Sequence, residues 1–154
     1  MQTLKKQINL GGNIALYVIP STLIHSIQSE TIQYIGTDPT FEIETAAETI
    51  QHTCKISTIR AGDLYEHTIT AFLPGYTHEN LNMLSKLRQY TSLIAIMRNG
   101  KGNYNHIGNK HEGLRLTFDF DSAKDPSNRT GFTLELTGHI TTTFKPIQFP
   151  PIPL

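Results

Sequence analysis

Apolar and polar residues alternate strictly between Leu114 and Asp121, and this feature most narrows the folds open to the chain. Every second position is apolar, namely Leu114, Leu116, Phe118 and Phe120. Successive side chains of a β-strand point to opposite faces, so the pattern predicts a strand with one face in a core and one in water. Antiparallel sheets commonly carry such strands. A mainly β chain is therefore expected.

One helix is predicted before this strand, over about residues 78–90. Leu81, Leu84 and Leu87 recur at the three- and four-residue spacing of one helical face. Thr77 is placed to cap the first turn, because its hydroxyl can accept a hydrogen bond from a free backbone N–H group. After the helix, the apolar run from Ser92 to Met97 predicts a strand. Asn99-Gly100 predicts the tight turn that follows, because this pair favours positive φ values.

The remaining segments predict further short strands and one long last strand from Phe132 to Ile140. We expect an antiparallel β-sandwich or barrel with one flanking α-helix, organised as an N-terminal arm (1–12), a single β-rich domain (13–143) and a proline-rich C-terminal arm (144–154). Phe118 is expected to point into the core, where its truncation to Ala costs about 3–5 kcal/mol.

Charge and cysteine content exclude several classes of protein. Thirteen basic and thirteen acidic residues cancel, so the chain lacks the basic excess that binding to phosphate backbones requires. Cys54 is the single cysteine, which excludes an internal disulfide. No apolar stretch approaches the roughly 20 residues of a membrane helix. We expect synthesis in the cytoplasm, with no specific nucleic-acid partner and no membrane.

Three residue sets contain side chains that could form a chemical site. Asp119, Asp121 and Asp125 resemble the start of a calcium loop, but no Gly or closing Glu follows at the required positions. His106 and His111 lie close in sequence, yet zinc needs three or four ligands. Cys54 stands in no nucleophile signature and is more simply a small buried hydrophobe. We therefore predict no enzyme activity, no cofactor and no metal. His67 is interpreted as a half-buried strand histidine that donates one hydrogen bond.

A diffuse pattern over most of the chain resembles small phage and prophage structural proteins of the tail and neck. The opening resemblance lies in Gly11-Gly12 followed by Leu16-Tyr17-x-Ile19-Pro20. The later features that share it are Tyr65-x-His67, Leu84-x-x-Leu87, Asn99-Gly100, Tyr104-x-x-Ile107-Gly108, Gly113-Leu114 and the strand from Phe132 to Gly138. The order of helix and barrel is similar to the tail-tube family. That resemblance implies a virion protein that forms rings or stacks, without catalysis or cofactor, and it transfers no catalytic residue.

The C-terminal arm supplies the predicted assembly interface. Its prolines block helix formation and suppress strand pairing, so the arm cannot hide its own apolar side chains. We expect those side chains to pack on an adjacent subunit. The alternative function is a β-sandwich binding module that recognises a carbohydrate or a surface protein. The predicted interface residues are Ile147, Phe149, Ile152 and Leu154.

Overall fold

The structure is a computed structural model that describes residues 1–4, 12–124 and 129–154. The described chain is mainly β with one α-helix, which confirms the predicted fold class. Most of the predicted N-terminal arm, residues 5–11, lies outside the described residues, and so does Asp125. In chain order the elements are β1 (Asn13–Pro20), β2 (Ile24–Gln28), β3 (Thr31–Tyr34), β4 (Phe41–Ile43), β5 (Gln51–Ile59), β6 (Gly62–Pro74), α1 (His78–Gln89), β7 (Leu93–Asn99), β8 (Tyr104–Ile107), β9 (Arg115–Asp121), β10 (Gly131–Ile140), β11 (Lys145–Pro146) and β12 (Ile152–Pro153).

The strands form three sheets. A five-stranded antiparallel sheet has the order β11-β8-β7-β1-β4, and a four-stranded antiparallel sheet has the order β5-β6-β10-β9. A smaller sheet, β12-β3-β2, joins β12 to β3 in parallel and β3 to β2 in antiparallel fashion. The long β6–β10 pairing runs over ten residue pairs, from Gly131 opposite Pro74 to Ile140 opposite Tyr65.

The main core combines side chains of the five-stranded sheet, the four-stranded sheet and α1. It includes Val18, Ala95, Leu116 and Phe132, all almost fully buried. Phe118 is half-buried against this core. Phe120 points to the core side, with its ring centroid 5.1 Å from that of Phe132, but it is 44% exposed and is therefore not a buried core residue. The exposure follows from the position of Phe120 near the end of β9, the last strand of its sheet, where the rings of Phe132 and Tyr76 cover it only in part.

A second apolar cluster lies on the other side of the five-stranded sheet. Ile94 and Ile96 of β7 belong to it, whereas Leu93, Ala95 and Met97 of the same strand belong to the main core. Both faces of β7 are therefore covered, and this explains why its sequence is a continuous apolar run instead of an alternating one. The other fully buried members of the second cluster are Ile19, Ile24 and Ile32, with Ile147 nearly as buried.

Helix α1 begins and ends close to the predicted bounds. The Thr77 hydroxyl accepts a hydrogen bond from the Asn80 N–H group at 3.1 Å, which confirms the cap. Leu84 and Leu87 are buried in the main core, and Leu81 packs against it. No helix in the described part of the chain is long and apolar enough to cross a membrane.

The turn between β7 and β8 also forms where Asn99-Gly100 predicts it. The positive φ, however, is at Gly102 (φ 87°), while the Asn99 side chain accepts hydrogen bonds from the N–H groups of Lys101 and Asn103, both at 3.0 Å. The side chain of Asn99 therefore holds this loop, and the prediction of positive φ values at Asn99 and Gly100 is wrong.

Candidate functional site

The C-terminal segment, residues 145–154, docks on its own chain. Strand β11 pairs with β8, and β12 pairs with β3, so the segment crosses from the five-stranded to the three-stranded sheet. Backbone hydrogen bonds hold it along its length. They run from Ile147 N–H to the Tyr104 carbonyl (3.0 Å), from Gln148 N–H to the Glu30 carbonyl (2.7 Å) and from Leu154 N–H to the Tyr34 carbonyl (2.9 Å).

The four predicted interface residues are therefore separated into two groups. Ile147 is only 6% exposed and completes the second apolar cluster, and Phe149 stacks on Tyr104 (4.9 Å between ring centroids) and Tyr17 (4.4 Å). The expectation that these two side chains need an adjacent subunit is wrong, because the isoleucine-rich outer face of the five-stranded sheet already offers them an apolar surface. Ile152 and Leu154 are 43% and 69% exposed, and their contact with another subunit stays a prediction.

A chain of polar contacts lies where the C-terminal segment leaves β10. His67 is fully buried, and its Nε2 atom lies 3.0 Å from the carbonyl oxygen of Thr142. Its Nδ1 atom lies 3.0 Å from Nε2 of His52, and Cys54 Sγ is 4.0 Å from His67 Nε2. His67 thus makes two short hydrogen bonds and is fully buried, which corrects the interpretation of a half-buried histidine with one bond.

Burial of the His52 ring, and then the neighbouring His67, lower the pKa of His52 from 6.5 to about 4. The ring of Phe144 meets His52 edge-on with 5.7 Å between centroids. The His52 ring is therefore neutral at pH 7. The sequence alone does not identify which of the seven histidines lies beside Cys54, and the register of β5 and β6 places His67 there.

Glu112 holds Thr141, the residue that precedes Thr142 in the sequence. Its carboxylate accepts hydrogen bonds from the Thr141 N–H group (3.1 Å) and the Thr141 hydroxyl (2.7 Å), and the Asn109 side chain lies at 3.5 Å. The hydrogen bond from the Thr141 hydroxyl is the main cause that lowers the pKa of Glu112 below its usual 4.5. Thr141 and Thr142 are thus each held by a titratable side chain.

The sets weighed as metal sites are not assembled into ligand clusters. Nδ1 of His106 donates to the Gly108 carbonyl at 3.0 Å, since a carbonyl oxygen can only accept, and the His111 backbone N–H bonds to the Asn109 side chain. Among the described residues, no group of three or more His, Cys, Asp or Glu side chains is placed to hold a metal ion. Asp119 and Asp121 lie along strand β9.

The outer strands of the four-stranded sheet are a further feature that the internal packing leaves without a strand partner among the described residues. Within the described residues, no strand pairs with the outer side of β5 or of β9. Most of β5 is exposed, and it carries Ile56 and Ile59 at 63% and 51% exposure. Helix α1 contacts β9, and the exposed end of β9 is Asp119–Asp121. No family model, curated protein or solved structure matches the chain.

Proposed function

We propose that the chain is a non-enzymatic structural protein of a phage or phage-derived particle, in the tail or head-to-tail region. On this proposal it is made in the host cytoplasm and works in the virion, where it binds itself in rings or stacks and contacts other virion proteins. The observation that carries self-association is that, within the described residues, no strand pairs with either outer edge of the four-stranded sheet, although α1 contacts β9. Such edges present unpaired N–H and C=O groups and are templates for pairing with another chain.

Strand β5 has few of the features that normally protect an edge. Natural edge strands are commonly short or carry Pro, bulges or several charges. Strand β5 has nine residues and no Pro, pairs with β6 without a register shift, and contains one charged residue, Lys55. Its exposed Ile56 and Ile59, on opposite faces of the strand, add apolar surface to this edge. An edge of this kind favours a partner strand.

The arrangement of the sheet determines how a second copy would pair. All neighbours in β5-β6-β10-β9 are antiparallel and the number of strands is four, so β5 and β9 run in opposite directions. A ring whose axis runs roughly along the strands keeps the direction of every strand. The β9 strand of one copy then meets β5 of the next in antiparallel fashion, and the sheet continues across the boundary with the same inner face.

Charge suggests one register for this pairing. Asp119 lies on the outer face of β9, because its neighbours Phe118 and Phe120 turn toward the core side, and Lys55 lies on the outer face of β5. Placing Asp119 opposite Lys55 of the next copy pairs opposite charges, which favours a cross-strand contact by about 0.2–1 kcal/mol. The same register places Phe120 opposite Cys54 of the next copy on the inner face.

Cross-linking through the single cysteine tests this register. In Phe120→Cys, oxidation should join the introduced thiol of one copy to Cys54 of the next, because directly opposed antiparallel residues lie about 4.5–5.5 Å apart, within the range of a disulfide. The expected result is a ladder of covalent dimers, trimers and larger species on a non-reducing gel, which a reducing agent collapses. Phe120 suits the substitution since it is partly exposed.

Two variants serve as controls. Asp119→Cys places the new thiol on the opposite face of β9 and should give no ladder, and Phe120→Cys combined with Cys54→Ser lacks the partner thiol. Oxidation of the unaltered chain can give at most a disulfide-linked dimer, because Cys54 is its only cysteine. If Phe120→Cys gives no ladder and the unaltered chain sediments as a monomer at high concentration, the self-association proposal fails.

A binding module remains the second candidate function, favoured by a cavity of about 330 Å³ between the β2–β3 turn, β8 and the start of the C-terminal segment. Glu30, His106 and Lys145 line it, and Nε2 of His106 is an acceptor because Nδ1 donates to Gly108. Saturable binding of a carbohydrate or a surface protein to the monomer would favour this function over assembly. The substitutions Lys145→Ala and Glu30→Ala should then abolish that binding.

A further inference from the structure

The proton positions in the His52–His67 contact follow from its acceptors. The Thr142 carbonyl oxygen can only accept, so His67 carries a proton on Nε2. In the neutral His67 ring Nδ1 is then an acceptor, and His52 must donate to it from Nε2. Each ring thus has a defined tautomer, and the contact runs from β5 through β6 to the backbone of Thr142.

This arrangement cannot hold two additional protons. A proton on Nδ1 of His67 would face the proton on Nε2 of His52 across 3.0 Å, and both nitrogens would be donors. One additional proton can bind at Nδ1 of His52, but it places a charge on a half-buried ring beside Phe144. The singly protonated form therefore keeps the hydrogen bond but buries a charge, whereas the doubly protonated form loses the hydrogen bond.

We infer that the His52–His67 contact is a proton-sensitive switch, which is closed while both rings are neutral and opens in acid, when His52 turns away from His67 and Phe144. His52 has room to turn, because it lies on an edge strand and lines an open groove. His67 keeps its hydrogen bond to Thr142, since Nε2 carries a proton in both states. The switch thus removes the His52 ring from Phe144, which is already 48% exposed, without releasing the C-terminal segment.

The groups around the two rings do not compensate added charge. On the same face of β5 and β6 the titratable neighbours are Cys54 and Tyr65, and Tyr65 stacks on His67. The groove beside His52 is lined from the five-stranded sheet by Asn13, Met97, Asn99 and Asn105, and from the C-terminal side by Phe144. Within the described residues, no carboxylate lines this groove. The low pKa of His52, about 4, agrees with such surroundings.

The switch also bears on assembly, and this part rests on the proposed function. His52 lies on the strand whose outer edge is proposed to pair with the next copy. Opening places a positive charge and a displaced side chain beside that edge, so rings should weaken in acid. The histidine contact itself is a property of the single chain and does not require assembly.

A tryptophan at position 144 reports the contact, because the chain has no other tryptophan. In Phe144→Trp the emission should change in a transition with a midpoint at about pH 4, as the indole loses the His52 ring. Adding His52→Gln should remove that transition, since Gln can still donate to His67 but binds no proton in this range. The matched control adds His25→Gln, which replaces an exposed histidine of β2 and should keep the transition.

Far-UV circular dichroism and NMR complete the test. The circular dichroism should stay constant through the transition, and the Cε1–H resonance of His52 should titrate at least about one pH unit below the unfolded value of 6.5. A transition that persists with His52→Gln, or that coincides with loss of circular dichroism in every variant, overturns the inference. Absence of oligomers at any pH together with a low His52 midpoint removes the proposed assembly and supports the switch.

Discussion

The five-stranded and four-stranded sheets are built from similar strands, but they are covered differently. The five-stranded sheet is buried on both faces, with Ala95 of β7 in the main core and Ile94 in the second cluster. The four-stranded sheet is buried on one face, so Leu134 of β10 is inside while Thr133 and Glu135 are exposed. The sheet with two covered faces has its outer side closed by β2, β3 and the C-terminal segment.

The contrast between the two sheets shows how strongly its surroundings shape the sequence of a strand. A strand with one solvent-exposed face alternates apolar and polar residues, because the polar side chains on that face stay hydrated. A strand with two covered faces becomes a continuous apolar run, as in Leu93–Met97. The continuous apolar run thus implies that a second layer packs on the outer face of this strand. The C-terminal segment supplies part of that layer through Ile147.

The largest expected loss of stability distinguishes a core residue at the centre of the four-stranded sheet from one on its edge strand. Phe132 is fully buried on β10, and Phe132→Ala should lower the free energy of unfolding by about 3–5 kcal/mol. Phe118 on the edge strand β9 is half-buried, so Phe118→Ala should cost about 1–2 kcal/mol, less than the sequence alone suggested. Urea denaturation with unchanged m-values measures both. Equal losses would show that β9 is covered as completely as β10.

The next prediction concerns the second cover of the five-stranded sheet. Ile147→Ala removes a buried side chain near the surface and should cost about 2 kcal/mol. The matched change Ile152→Ala, at an exposed position of the same segment, should cost less than about 0.5 kcal/mol. Thermal or urea denaturation compares the two. A negligible effect of Ile147→Ala would mean that the segment does not stabilise the sheet in solution.

Smaller effects are expected from titration, first of His52, a polar residue on the inner face of the four-stranded sheet. The folded-state pKa of His52, about 4, lies below 6.5, so the folded chain binds fewer protons than the unfolded chain. Stability is therefore full above pH 6.5 and falls as the pH drops toward 4, by about 1 kcal/mol after allowance for solvent screening of the half-exposed ring. His52→Gln should remove this loss in urea denaturation at pH 7 and pH 4.5.

Glu112 acts in the same direction at lower pH. Its pKa is lowered in the folded state, so its contribution is present above pH 4.5 and is lost as the pH falls further. Glu112→Gln should flatten the stability curve only below pH 4.5, while His52→Gln flattens it above. A stability curve that neither variant changes would contradict both assignments.

The candidate site was less accessible to sequence reasoning than the strands and the helix. The Thr77 cap depends on residues three positions apart, so a local pattern is enough to find it. The contact between His52 and His67 depends on residues fifteen positions apart in two strands, and a shift of register by one residue would turn one of them to the other face. That register is set by the two-residue connection between Ile59 and Gly62, so the contact can be identified only when the exact position of the turn is known.

Local patterns in the chain were enough to identify the main strands and the helix, and to place one main core behind the alternating strands. These properties depend on the period of apolar residues and on capping chemistry, which act over a few neighbouring residues. The docking of the proline-rich segment, the position of Phe120 at an edge and the burial of Ile147 emerged only from the assembled fold. Proline density excludes helix and inner strand for that segment, but its docking site is a surface assembled by β1, β2, β3, β7 and β8. Such a surface exists only once those distant strands have come together.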